Sequence, residues 1–135
     1  MKTRLFASTM LLFIWGAALA GGDIPVATRA DLEATGVPVY PGAVYCIGNA
    51  EAGIRLATNE PRDTVRAWYA EQLPGWTVFE DFGMWMMADS PPGSSFPERV
   101  ESNNLIVDTN DQIPEWHDLA ADMTTQIVIV LPKVP

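Results

Sequence analysis

Histidine and cysteine each occur once in these 135 residues, as His117 and Cys46, and eight basic residues stand against seventeen acidic ones. A tetrahedral zinc site draws on several Cys or His ligands, so none is expected here. A single cysteine excludes an internal disulfide and leaves stability to packing. Cys46 lies in the apolar run "AVYCIG", with no His or Lys beside it to lower its pKa, which predicts a buried, inert thiol. There is no G-x-S-x-G elbow, and "PPGSS" has one glycine and no lysine, so it is no phosphate loop. A formal charge of −9 opposes phosphate backbones, whose binding needs clustered Lys and Arg. Nucleic acid is therefore not an expected partner, anionic membrane surfaces are disfavoured by the same sign, and no cofactor or metal is implied.

Long apolar runs are scarce as well. The one at the N-terminus, "LFASTMLLFIWGAALA" at residues 5–20, follows Lys2 and Arg4 and ends on Ala18, Leu19 and Ala20. That order of positive, apolar and small residues predicts a secretory signal peptide at 1–20, cleaved after Ala20, and a periplasmic or extracellular protein. The run is shorter than the ~20 apolar residues of a spanning helix, so no membrane span is expected after cleavage. The remainder reads as a leader and entry segment at 21–42 and one domain at 43–135, a length that suits a single hydrophobic core.

Within the leader, "RADLEATG" predicts a short helical turn capped by Thr28 and stopped by Gly36. Pro38 and Pro41 then favour extended backbone. Short strands are expected at 43–48 and 53–58, joined by a turn at Gly48 and Asn49. In "EPRDTVRAWYAEQLPGW", Asn59 is placed to cap, Pro61 suits a first turn, and Pro74 with Gly75 stops the helix. Val65, Trp68, Tyr69 and Leu73 recur with helical spacing, so the aromatic pair is expected to be core rather than a ligand platform. A hairpin turning at "DFG" joins strands at 76–80 and 84–89, and residues 90–103 read as an exposed loop. Strands at 104–109 and 124–132 complete the chain. The second is a nearly continuous β-branched run, expected at the centre of the sheet. The predicted fold is α+β: a single antiparallel sheet of about five or six strands packed by one main helix.

The combination of "VPVYPGA", "ATNEPRDTVRAWYAEQLPGW" and a final "TTQIVIVLP" resembles a recurrent module of exported bacterial proteins, often of unassigned function. Its marks are a Y-P-G-A entry, a helix with an aromatic-Tyr pair and an L-P-x-W-like exit. Members often carry a lipid-anchor cysteine, which this chain lacks. The shared residues are turn formers and core aromatics, so the resemblance implies a fold and no reaction.

Two functional readings remain. The first is a non-enzymatic module that binds a protein, peptide or apolar small molecule on a sheet face left open by the helix, or on the loop at 90–103. Trp85, Met87, Trp76 and Phe96 are its candidate contacts, since adjacent Trp and Met side chains adapt readily to partners. The second is a small hydrolase pairing His117 with Asp118 and taking its nucleophile from Ser90, Ser94 or Ser95. It suffers from the divergence of adjacent side chains. "DTNDQ" has spaced oxygen ligands but lacks the glycine and terminal glutamate of a calcium loop.

Overall fold

The computed structural model describes residues 24–109 and 123–134. Among them, helix α1 (Val26–Thr35) leads to strands β1 (Val44–Ile47) and β2 (Ile54–Thr58), helix α2 (Arg62–Gln72), strands β3 (Thr77–Asp81) and β4 (Met84–Ala88), short helix α3 (Phe96–Val100), and strands β5 (Asn104–Thr109) and β6 (Thr125–Val130). The strands form one six-stranded sheet in the order β1-β2-β6-β5-β4-β3, antiparallel throughout. The fold is thus α+β on a single antiparallel sheet. Strand β6 is interior, between β2 and β5, as its β-branched run requires. Ile127 and Ile129 are fully buried on the helix side, while Gln126 is buried and Val128 and Val130 half-buried on the other.

Helix α2 begins at Arg62, after Pro61, without a side-chain cap, so Asn59 does not serve as one. The residue before a proline is biased away from helical backbone, which keeps Glu60 outside. Val65 and Tyr69 are fully buried and Leu73 nearly so, together with Leu56, Leu105, Val107, Trp85 and Met87 from one sheet face. Tyr69 donates its hydroxyl proton to the Pro38 carbonyl at 3.0 Å, and burial pushes its phenol far above the ordinary value. Trp68 is half-buried. It lies at the rim of the core, in edge contact with Tyr40 at 5.1 Å and Tyr69 at 4.9 Å between ring centroids. The helical stripe is therefore core, with Tyr69 at its centre and Trp68 at its margin.

Two expectations change. Residues 24–42 supply Ile24, Leu32, Val37 and Tyr40 to the buried set, and α1 is nearly as long as α2. Thr28, expected to cap, is buried inside α1, which starts after Pro25 and ends at Gly36 in left-handed conformation. The stretch 90–103 is not wholly an exposed loop. Ser95 caps α3, accepting from the Glu98 amide at 3.4 Å and donating to its carboxylate at 3.0 Å, and Ser94, Arg99 and Ser102 are buried. The S-x-x-E capping signature at 95–98 is the local cause, and no apolar period accompanies it because the helix has only five residues.

Candidate partner-binding surface

Strands β3 and β4 pair from Thr77↔Ala88 to Asp81↔Met84, leaving Phe82 and Gly83 to make the turn. Both have positive φ, 54° and 71°, which fits the twist of a tight two-residue hairpin. Glycine adopts such backbone without steric cost. Phenylalanine does not, and Asn or Asp would be the tolerant choices. Phe82 is also 85 % exposed, so its ring recovers little by burial. It meets Phe96 of α3 edge-on, with centroids 6.5 Å apart and an interplanar angle of 83°. Phe96 is 40 % exposed, and Val100, one turn further along α3, 44 %. The three make an exposed apolar cluster at the hairpin tip.

Two arginines brace this hairpin from opposite faces. Arg99 sits over the Phe79 ring at 4.0 Å and forms a two-pronged pair with Asp81, Nη1 to Oδ1 at 2.9 Å and Nη2 to Oδ2 at 2.8 Å. Its Nε also donates to the Ser94 carbonyl at 3.0 Å. The hydrogen bond from Arg99 holds the Asp81 carboxyl below the usual carboxylate range. On the helix side, Arg66 lies 5.2 Å from the centroid of Trp85. The β4–β5 ladder runs only from Met86↔Ile106 to Ala88↔Asn104, and the Val107 carbonyl beyond it accepts from Arg66 Nε at 3.0 Å and Nη2 at 2.8 Å. A guanidinium thus takes up a carbonyl that the ladder leaves to it, and the hairpin tip stands apart from β5. Burial and the neighbouring Arg62 push the Arg66 guanidinium down, against the pull of Asp108. A cleft of about 260 Å³ opens beside the tip, between Arg62, Arg66, Glu80 and Trp85. Its arginines are already engaged, Arg62 with Asp108 at 2.9 Å.

Of the residues singled out from sequence, Phe96 is at this surface. Trp85 and Met87 are not available as an outward pair: they are 8 % and 1 % exposed and face α2. Strand alternation sends Met84 and Met86 the other way, and there Met86 is 4 % exposed, beside its register partner Phe79, which Arg99 covers. The stretch 90–103, expected to be an exposed loop, instead covers the sheet face at this end through Arg99. Trp76 is half-buried against the core. Phe82 escaped the sequence reading, although "DFG" held the signal: a bulky aromatic where a tight turn wants Asn or Gly.

The remaining chemistry is modest. Ser94 donates to the Pro91 carbonyl at 2.6 Å and Ser95 is the α3 cap, so both hydroxyls have structural partners. Cys46 is half-buried, its thiol pushed up by burial and 3.8 Å from the Val44 carbonyl. Among the described residues, no group of three His, Cys, Asp or Glu is placed to hold a metal ion, and no helix is long and apolar enough to cross a membrane. His117, Asp118 and residues 1–20 lie outside the described residues. Comparison with protein-family models, with curated proteins and with solved structures returned no match.

Proposed function

We propose that this chain is a non-enzymatic binding module that engages a partner protein through the Phe82, Phe96 and Val100 tip. The observation that carries the reading is Phe82 itself. A left-handed, solvent-exposed phenylalanine opposes folding twice, through its backbone and through its wet ring, so the fold offers no reason for it. Exposed aromatics on a rigid support are the usual anchors of protein contacts. Small molecules are held in concave pockets, whereas a partner protein can supply the socket that an exposed aromatic needs. The residue order of 1–20 supports export, so the partner is sought outside the cytoplasm.

Site-specific photocrosslinking tests this in cells that produce the chain. A benzophenone amino acid at position 82 is compared with the same group at Glu71, an exposed residue of α2. A discrete protein adduct is expected from position 82 and not from position 71. No adduct from 82, or identical adducts from both, overturns the proposal.

A further inference from the structure

We infer that the partner presents a cationic amphipathic segment, apolar where it meets the aromatic tip and rich in Lys or Arg around it. This rests on the tip being the binding surface and adds the chemistry of what binds there. On the α3 flank, three carboxylates, Asp81, Glu98 and Glu101, stand against one guanidinium, Arg99, which Asp81 already neutralises at 2.8 Å. Glu98 and Glu101 are exposed and lie within five residues of Phe96. On the α2 flank, the cleft beside the tip is lined by Arg62, Arg66 and Glu80, and both guanidinium groups are already committed, to Asp108 and to the Val107 carbonyl. The α3 side of the apolar tip is therefore net negative, and the arginines on the α2 side are already paired, within a chain of formal charge −9. An acidic segment would meet like charge on the α3 approach, while a basic one is drawn in from it. The two phenyl rings add faces on which Lys or Arg can rest. The arrangement selects by charge around an anchor that is itself apolar.

The test uses two synthetic helical peptides, one with leucine on one face and lysine on the other, the second with glutamate at every lysine position. Backbone amide shifts of the isotope-labelled protein are followed on titration. The lysine peptide is expected to shift the amides around Phe82, Phe96 and Val100, to bind about tenfold or more tightly than the glutamate peptide, and to weaken in ~0.5 M salt. Phe82→Asn, which suits the turn and keeps the fold, is expected to abolish those shifts. Equal binding of both peptides at the tip overturns the charge inference and leaves the binding surface standing. Binding of the lysine peptide that misses the tip, or that survives Phe82→Asn, overturns both, as does the absence of binding by either peptide.

Discussion

Two hairpins of the sheet, β1–β2 and β3–β4, treat their turns in opposite ways. Between β1 and β2, Gly48 has φ of 106°, and a Cβ there would fall on the Gly53 carbonyl oxygen. The loop is further tied by the Gly53 amide to the Asn49 carbonyl at 2.8 Å, and by the Leu131 amide to the Ala50 carbonyl at 2.8 Å. Residue and backbone agree, and the loop serves the fold. Between β3 and β4, Phe82 occupies backbone that favours other residues and leaves its ring in water. Agreement between local preference and structure marks a position kept for folding, and conflict marks one kept for something else.

Breaking the first hairpin should have the largest effect. Gly48→Ala is expected to cost ~3 kcal/mol or more, since the left-handed backbone is strained by a side chain and the Gly53 carbonyl must also move. Denaturant unfolding measures this. A loss below about 0.5 kcal/mol would show that the loop adapts and that the contrast with β3–β4 is unfounded.

A core position gives a middle value for calibration. Tyr69→Phe keeps the buried ring but leaves the Pro38 carbonyl without its donor, and should cost about 1–2 kcal/mol. The loss should fall in unfolding free energy and leave contacts at the hairpin tip unchanged.

Phe82→Asn should change the sign. Asn tolerates left-handed backbone and needs no burial, so a gain of about 0.5–1 kcal/mol is expected, together with loss of partner binding. Destabilisation on this substitution would mean that the ring contributes to the fold through Phe96, and the conflict on which the functional reading stands would vanish.

The smallest effect is local and depends on pH. The Asp81 carboxyl lies below the usual range because Arg99 donates to it, so its contribution is complete above the unfolded-state value and is lost as pH falls through the lower native one. Acidification should therefore loosen α3 only after ordinary surface carboxylates have taken up protons. Hydrogen exchange at the Arg99 and Ser102 amides, which bond within the α3 segment, follows this. Asp81→Asn should expose these amides across the whole pH range, and unchanged protection would separate the clamp from the placement of Phe96.

Much of the fold was readable because it depends on short-range patterns. The β-branched run of β6 marked an interior strand, and the helical spacing of Val65, Tyr69 and Leu73 marked a buried stripe, since each residue's face follows from the period of its own element. The expected strand spans match those observed to within one or two residues at each end. The candidate site was less readable. Alternation in β4 required that one pair face the helix and the other face away, but it assigns no direction to either. The register with β3 and β5 and the position of α2 made Trp85 and Met87 the inner pair.

By itself the sequence determined the α+β class, the single sheet, the interior place of β6 and the identity of the helical stripe, because local propensity and periodicity act over a few residues. Tertiary structure alone decided that α3 folds back over Phe79, that Arg99 reaches across 18 residues of chain to Asp81, and that Phe96 thereby stands beside Phe82. Those contacts join segments distant in sequence, and their energy depends on desolvation and geometry that no single segment encodes.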